Sequence, residues 1–333
     1  MLSNYFKVAL RNFFKHRTYS AINLGGLGIA VAVCLLIGLF VRQEWTFDQF
    51  HANADRIYRP WVYEKYASEE FISLQTPHPL GPMLKATYPE VEAVTHYMPL
   101  NNTVKKGAEV FTEPMYLVDP DFLRMFSFPL AQTTGPEPLK EPGSVVLTEE
   151  TAKKYFGAEN PLGKRLEIRL DGDTLTLPFT VTAVARDWPQ HSSFRFGFLL
   201  PYENAKRIRS PRALTASWHN IEPGTYVLLR EGTDPDKLEA KFPEMVRTVL
   251  GEKYKPGEYT VHLQVLTGIH LRRGVPETAG SGEVPEGEAK YSYLLATIAL
   301  FILTIACIYF VTLSIGRSAG RAREVGVRKT MGA

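Results

Sequence analysis

The sequence predicts a membrane protein in which two transmembrane α-helices flank a mixed α+β extracytoplasmic domain. Three observations support this fold class. The chain has 333 residues and contains two long apolar runs without a charge, residues 21–41 and residues 291–315. Both ends of the chain are basic, and the region between the two runs has more acidic than basic side chains.

The two apolar runs have the length and flanks of membrane-spanning helices. The first run, residues 21–41, would form a helix about 31 Å long at 1.5 Å per residue, close to the thickness of a bilayer core. The second run starts with Tyr291 and Tyr293, aromatic side chains typical of the membrane–water interface. Since lipid offers no hydrogen-bond partners to the backbone, both runs should be helical. The first run is longer than the apolar core of a cleaved signal peptide.

The charges on the two flanks predict the orientation. Residues 1–20 contain four basic and no acidic side chains, and residues 316–333 contain five basic side chains and one acidic. Basic flanks mark the cytoplasmic side of a membrane. We therefore expect a multi-pass protein with both termini in the cytoplasm and residues 42–290 outside it.

The ends of the chain and the first span invite two further predictions. Residues 2–16 carry an apolar stripe opposite basic residues, which predicts an amphipathic helix within residues 1–20, lying on the inner leaflet. The first span is rich in small residues, which let helix backbones approach closely. We predict that helix packing uses Gly25, Gly26, Gly28 and Ala32.

The central region shows alternating short strand and helix patterns. Runs rich in β-branched and aromatic residues, bounded by turn residues, predict eight strands: 56–64, 111–118, 144–147, 165–170, 179–185, 196–200, 225–230 and 260–266. Helices are expected at 79–88, after the capping residue Thr148, and from Asp234 onward. Residues 273–289 are rich in Gly, Pro, Glu and Ser and predict a flexible lead-in to the second span.

Motifs for catalysis or ligand binding are missing from the sequence. The two cysteines, Cys34 and Cys307, lie in the apolar runs, so we expect no disulfides. The eight histidines form no metal-type pair at helical spacing, and no Gly-x-Ser-x-Gly elbow occurs. Residues 157–165 resemble a phosphate loop, but the spacing is one residue too long and Arg165 replaces the Ser or Thr. We predict no catalytic residues, no metal, no cofactor and no nucleic-acid partner.

Several strings resemble one family, the ATP-binding-cassette (ABC) transporter permeases of the MacB/FtsX type. They are YFKVALRNFFKHRTYSAINLGGLGIAVA at the start, FDQFHANADRIYR, VDPDFLRMFSFPL, SVVLTEETAKKYFG, NPLGKRL and FTVTAVARD in the centre, and RSAGRAREVGVRKTMGA at the end. The resemblance covers essentially the whole chain. It is most specific in the SVVLTEETAKKYFG string and in the terminal segment.

The resemblance implies a role in the bacterial inner membrane. Such permeases pair with a cytoplasmic ABC ATPase, which binds the ATP, and they export or extract substrates at the periplasmic face or transmit force across the membrane. It implies that residues 42–290 are a MacB-like periplasmic core domain and that residues 316–333 are a cytoplasmic coupling segment, the start of an FtsX-like permease domain. The residues expected to touch the ATPase are Glu324, Gly326, Arg328, Lys329 and Gly332.

Further partners and the extent of the chain also follow from the resemblance. It implies a second permease copy, giving a dimer, and a periplasmic adaptor or substrate protein. Family members carry at least two further spans after the Gly-Ala ending, so we expect this chain to be a truncated permease. The sequence does not identify the cargo: antimicrobial compounds, peptides and lipoproteins all fit, as does force transmission without a cargo.

Two other classes of protein compete with the permease. A two-span membrane sensor would use the outer domain to bind a ligand, but it would need a signalling region after the second span, where only 18 residues follow. A membrane-anchored enzyme would need a catalytic constellation. An ATPase gene beside this one would favour the permease.

Overall fold

The computed structural model describes residues 11, 17–66, 69–218 and 221–332, and divides the chain into two compact units. The first unit contains the two long helices, and the second contains residues Thr46–Glu288. The amphipathic helix expected within residues 1–20 falls largely outside the described residues.

The first unit contains two helices that are long and apolar enough to cross a membrane. Helix α1 spans Arg17–Trp45, and its apolar part is Ser20–Trp45; helix α10 spans Ala289–Thr330, and its apolar part is Ala289–Gly316. The expected spans 21–41 and 291–315 lie inside these helices. Helix α10 continues without a break for 14 residues beyond Gly316, which adds about 21 Å at 1.5 Å per residue.

The two long helices contact each other along one seam. The Cys34 thiol lies 3.2 Å from the Ala299 carbonyl oxygen, and Trp45 packs edge-on against Tyr293 with ring centroids 5.5 Å apart. Most of the less exposed positions of both helices recur at alternating steps of three and four residues, the spacing of a coiled-coil seam. They are 20, 23, 27, 30, 34, 37 and 41 in α1, and 292, 295, 299, 302 and 306 in α10.

The second unit is built on eleven strands and eight short α-helices among its described residues. The strands are β1 Ile57–Tyr66, β2 Glu69–Ser73, β3 Val91–Lys106, β4 Glu109–Val118, β5 Leu130–Thr133, β6 Ser144–Thr148, β7 Arg165–Arg169, β8 Thr176–Ala185, β9 Phe198–Pro201, β10 Gly224–Leu229 and β11 Tyr259–Val265. The helices are α2 Leu80–Thr87, α3 Phe122–Met125, α4 Glu149–Phe156, α5 Ala205–Ile208, α6 Pro211–Thr215, α7 Pro235–Glu239, α8 Phe242–Leu250 and α9 Leu266–Ile269.

Strand β3 belongs to two lobes of this domain. Its first part pairs with β10 in a sheet ordered β11-β1-β10-β3, with β2 added beside β1. Its second part pairs with both β4 and β7, and the pairing runs on through β9, β6 and β8 back to β7. We call the first group, with α2, α7 and α8, the sheet lobe, and the closed six-stranded ring the barrel lobe.

Three large apolar cores and one small cluster, formed by Trp61, Leu74 and Ala279, fill the domain. Alternate residues of the ring strands, such as Val104, Leu117 and Ile168, fill the barrel lobe. Leu84, Val227 and Phe242 represent the core between the sheet lobe and its helices. A third core joins the two lobes; it is rich in aromatic side chains and contains Tyr97, Phe122, Phe126, Phe194 and Tyr226. Burial of this size and continuity explains how the domain is stable without a disulfide.

The predicted elements are confirmed in kind, with additions. All eight predicted strands exist, and Thr148 caps α4 by accepting a hydrogen bond from the Thr151 N–H. Strands β2, β3 and β5 were not predicted. The predicted helix after Asp234 is divided into α7 and α8, because the helical backbone is interrupted between Glu239 and Phe242.

Residues 273–288 contain no helix or strand, as expected for a connection, but the prediction of a loosely attached lead-in is wrong. The segment is packed against the sheet lobe. Ala279 and Val284 are buried, and the Gly280 N–H donates to the Ile72 carbonyl oxygen of β2 at 3.0 Å. Composition predicted flexibility because several of the stabilising contacts, such as that of Gly280 with Ile72, are made with residues distant in sequence.

Candidate functional site

Two segments connect the domain to the long helices. The leading segment, residues 46–56, directly follows α1 in the chain. The trailing segment, residues 266–288, directly precedes α10. These two segments are therefore the covalent connections between the long helices and the domain. We call the contacts that anchor them the junction.

The trailing segment is held by a buried arginine on strand β1. The Arg59 guanidinium is fully buried; its Nη2 donates to Glu286 Oε1 at 2.8 Å and to Gln264 Oε1 at 2.7 Å. Glu286 also accepts from Arg272 Nη1 at 2.6 Å. Two arginines therefore flank one carboxylate whose side chain is only 7% exposed. Such charge-assisted bonds in a low-dielectric site are strong and directional.

A second carboxylate, Glu283, lies beside the same arginine. Its Oε1 accepts from the Tyr226 hydroxyl, while its buried Oε2 has no hydrogen-bond partner among the described residues. Burial raises the pKa of Glu283, and the positive charge of Arg59 opposes that effect. Burial lowers the pKa of Arg59, but Glu283, Tyr226 and Glu286 outweigh burial and raise it. The Arg59 guanidinium therefore stays positively charged and is the shared partner of Glu283 and Glu286.

Two glycines make room for this cluster. A Cβ on Gly224 of β10 would overlap the Glu283 carboxyl group, and a Cβ on Gly282 would lie 2.5 Å from Arg59 Nη1. Contacts this short are not tolerated between real side chains. A side chain at either position would therefore force the Glu283 carboxyl group or the Arg59 guanidinium to shift from its place in the cluster.

The leading segment is anchored to the aromatic core. The Asp48 N–H donates to the His191 carbonyl oxygen at 3.0 Å, and Asp48 Oδ1 accepts from the Ser193 N–H at 2.8 Å. His51 Nδ1 accepts from the Ser127 N–H at 3.0 Å, and the His51 ring packs among Phe50, Phe126 and Phe128. The segment is thus fixed at several points before β1 begins.

Burial shifts the pKa values of two side chains in the leading segment. It raises the pKa of the Asp48 carboxyl to about 6, although Ser193 and His270 act in the opposite direction. Asp48 Oδ2 is buried without a hydrogen-bond partner among the described residues. Burial lowers the pKa of His51 to about 3, so this imidazole is neutral at physiological pH.

The two segments also meet each other. The Phe47 ring of the leading segment stacks on the His270 ring of the trailing segment, with centroids 3.4 Å apart and planes 2° from parallel. The Gly287 N–H then donates to the His270 carbonyl oxygen at 2.6 Å. The junction therefore ties the start and the end of the domain together at one place.

The structure places the predicted coupling residues on helix α10 or just after it. Glu324, Gly326, Arg328 and Lys329 lie within Ala289–Thr330, the helix that contains the second apolar stretch. Gly332 follows the helix with φ of 83°. Their role as ATPase contacts stays a prediction.

The predicted packing residues do not form the seam between the two long helices. Gly25, Gly26, Gly28 and Ala32 are exposed in this chain, and a Cβ on any of the three glycines would meet nothing within 4 Å. The seam uses other positions, among them Ala30 and Cys34. Packing of the four small residues against a helix of another chain stays a prediction.

Sequence reasoning missed the junction. Arg59 gave a weak signal, as a basic residue in the aromatic strand IYRPWVY, where a charge needs a partner to be buried. Its partners Glu283 and Glu286 lie more than 220 residues away in a Gly- and Pro-rich stretch, so no local pattern could identify them. The described residues contain no group of three or more side chains suited to a metal ion.

Comparisons with known proteins agree with this architecture. The family model described as the MacB-like periplasmic core domain matches residues 20–245. Among solved structures, a domain assigned to a permease protein from Porphyromonas gingivalis matches with a TM-score of 0.53 and 22% identity, over 65% of this chain and 92% of that chain. At this identity the match supports the fold alone.

Two further structures have lower TM-scores. The periplasmic region of MacB from Actinobacillus actinomycetemcomitans matches at 14% identity and TM-score 0.43, over 62% of this chain and 88% of that one. The extracellular domain of the noncanonic ABC-type transporter YknZ from Gram-positive bacteria matches at 13% and 0.40, over 61% and 98%. No match was found among curated proteins. Because the family model covers more than half of the residues, the chain belongs to the MacB-like periplasmic core domain family.

Proposed function

We propose that this chain is a permease subunit of an ABC transporter of the MacB/FtsX type. In this proposal a separate cytoplasmic ATPase binds and hydrolyses ATP. The chain converts that cycle into movement of its extracytoplasmic domain, for export, extraction or force transmission at the periplasmic face. The chain lies in the bacterial inner membrane, with both termini in the cytoplasm and residues 42–290 in the periplasm. Family membership and the basic flanks support this arrangement.

One observation carries the coupling proposal: helix α10 runs unbroken from Ala289 to Thr330. Its apolar part is long enough to span the bilayer. The same continuous helix contains four of the predicted coupling residues, Glu324, Gly326, Arg328 and Lys329. A helix that is pushed at one end tilts or shifts as a body. ATPase closure against residues 324–332 would therefore move residue 289 and pull on the trailing segment.

The junction supports the receiving half of this mechanism. The trailing segment is bound to β1 through Arg59 and to β10 through Tyr226, so a pull on residue 289 is delivered to the centre of the sheet lobe. The contact between Phe47 and His270 links that pull to the segment that follows α1. A second permease copy, and a periplasmic adaptor or substrate protein, complete the proposed assembly.

Co-purification of the complete protein with candidate ATPases, followed by ATP turnover in lipid, tests the proposal. Gly326→Trp and Glu324→Lys should abolish substrate-stimulated ATP turnover while the outer domain stays folded. Thr174→Cys, at an exposed turn of the barrel lobe, provides a matched control that should retain turnover. Full stimulated turnover in both coupling variants would contradict the proposal.

A further inference from the structure

A second polar cluster lies at the boundary between the two lobes, away from the junction. His96 is on β3 at the point where this strand leaves β10 and begins to pair with β4. Its ring is nearly fully buried, at 3% exposure. Asp119, at the end of β4, and Tyr202, just after β9, approach from the barrel lobe; His78, just before α2, approaches from the sheet lobe.

The hydrogen bonds of His96 fix how many protons its ring must carry. Nδ1 lies 2.7 Å from Asp119 Oδ2, and Nε2 lies 3.1 Å from the His78 carbonyl oxygen. A carbonyl oxygen only accepts hydrogen bonds. Asp119 Oδ2 also accepts from the backbone N–H of His96 at 2.6 Å, so this oxygen acts as an acceptor as well. Both ring nitrogens therefore have to donate, which only the imidazolium form can do.

His78 provides the contrast. Its Nε2 lies 3.2 Å from Glu222 Oε2, and its Nδ1 pairs with the Tyr202 hydroxyl, which can donate. One neutral tautomer satisfies both contacts, with Nε2–H donating to Glu222 and Nδ1 accepting from Tyr202. Of the two neighbouring histidines, His96 alone requires an added proton.

The surroundings of His96 favour a positive charge. The Asp119 carboxylate lies at one end of the ring, and the Tyr202 ring stacks on its face at 4.0 Å with an interplanar angle of 11°, a geometry that attracts cations. From β10 the facing side chain is Thr225, and from α2 it is the backbone of Gly81.

The remaining charges of the cluster are already balanced. Arg209 Nε donates to Glu222 Oε2 at 2.6 Å. Burial raises the pKa of Glu222, but the hydrogen bonds of Arg209 and His78 outweigh it and lower the pKa to about 2. Burial, Asp119 and Glu222 raise the pKa of Tyr202 above its usual value, so its hydroxyl stays protonated. His96 is therefore the side chain of this cluster whose hydrogen bonds depend on an added proton.

We propose that His96 is a proton-binding site that works as a latch between the barrel lobe and the sheet lobe. With the proton bound, one ring joins Asp119 of the barrel lobe to the His78 backbone of the sheet lobe. Without it, the ring can donate to only one of these two acceptors, so the contact with either Asp119 or the His78 carbonyl oxygen loses its hydrogen bond from the ring, which favours opening of the boundary. The latch tightens as the pH falls, because the closed form binds the proton that the open form releases.

Hydrogen–deuterium exchange of the full chain in lipid nanodiscs tests the latch. Protection of residues 76–82, 94–98 and 118–122 is measured at pH 5.5 and pH 7.5, after correction for the intrinsic pH dependence of exchange. We expect protection about tenfold higher at pH 5.5, as one charge-assisted hydrogen bond allows. The variant His96→Asn keeps a donor toward Asp119 but cannot titrate, and should lose this pH difference.

Two further variants separate proton binding from simple loss of packing. Tyr202→Phe removes the contact with His78 but leaves both donors of His96, so protection should fall by the same factor at both pH values. Asp119→Asn removes the negative charge that favours the imidazolium, and should shrink the pH difference even if His96→Asn does not fold. Equal protection of the unmodified chain at both pH values would overturn the latch, as would an unchanged pH difference in Asp119→Asn.

Discussion

Replacement of Arg59 by methionine tests how the trailing segment is held. Methionine has a similar length and no charge, so it fills the space on β1 while removing the cation. Glu286, at 7% exposure, and the buried carboxyl of Glu283 would then share one site without their main positive partner. Only Arg272, 20% exposed, would remain beside Glu286.

The size of the effect follows from the burial of the pair. Removing one partner of a buried ion pair typically costs about 3–5 kcal/mol, because the other charge stays desolvated. We expect Arg59→Met to lower the free energy of unfolding of the domain by that amount. The triple variant Arg59→Met, Glu283→Gln, Glu286→Gln should recover most of the loss, since no buried carboxylate then lacks a cation and the partly exposed Arg272 keeps its hydrogen bonds to the Ala279 and Gly280 carbonyl oxygens.

Urea unfolding of the full chain in detergent micelles, followed by tryptophan fluorescence, measures the change. The domain supplies three tryptophans as probes, Trp61, Trp188 and Trp218. Arg56→Met is the matched control: its ion pair with Glu92 is about one-third exposed on both sides, and its loss should cost about 0–1 kcal/mol. If Arg59→Met were no more destabilising than Arg56→Met, the trailing segment would be held by something other than this cluster.

Three further predictions concern the same region and use the same unfolding assay. Burial raises the pKa of Asp48 from its usual value of about 4 to about 6, so ionisation of Asp48 destabilises the folded state progressively as the pH rises from about 4 to about 6. Asp48→Asn should therefore stabilise the domain by about 3 kcal/mol at pH 7.5, with a gain that falls as the pH drops from about 6 to about 4, and a gain independent of pH would refute the argument. Burial lowers the pKa of His51 to about 3, so the unmodified chain loses stability as the pH falls from about 6.5 toward 3. The difference in unfolding free energy between the unmodified chain and His51→Asn should therefore shrink by about 2–3 kcal/mol between pH 7 and pH 4.5. A difference that stays constant over this range would contradict burial as the cause. Gly224→Ala places a Cβ against the Glu283 carboxyl group and should lower the free energy of unfolding by about 1–3 kcal/mol. Gly232→Ala, at a turn where a Cβ meets nothing within 4 Å, introduces only the backbone strain of a positive φ and is the control. An equal loss of unfolding free energy in the two variants would argue against the steric explanation.

Local patterns predicted the spans and most of the strands because the responsible signals are local. An uncharged run with basic flanks needs no tertiary information, and neither does the capping of α4 by Thr148. Strand β3 was missed although it is the longest, because Pro99, Asn101 and Asn102 interrupt its strand pattern. Its pairing with β10, β4 and β7 supplies the stability that its composition does not indicate.

The junction could not be predicted for a different reason. Its strongest contacts join residues separated by more than 200 positions, such as Arg59 with Glu286. A Glu in a Gly- and Pro-rich stretch is usually solvated, and only the fold shows that this one is buried. The seam between the two long helices was not predicted either: it follows a heptad-like pattern of mixed residues that includes Asn23 and Cys34, and it does not use the small residues of α1 that the sequence singled out.

Cysteine labelling in intact cells tests the central claim most directly, namely that the mixed α+β domain lies outside the cytoplasm with both chain ends inside. With Cys34 and Cys307 replaced by alanine, Lys140→Cys reports on an exposed site of the domain and Lys329→Cys on the segment after the second span. We expect a membrane-impermeant maleimide to modify residue 140 in cells whose outer membrane is permeabilised and whose inner membrane is intact, and to modify residue 329 only after the inner membrane is opened. Labelling of residue 329 from outside, or protection of residue 140 until lysis, would contradict it.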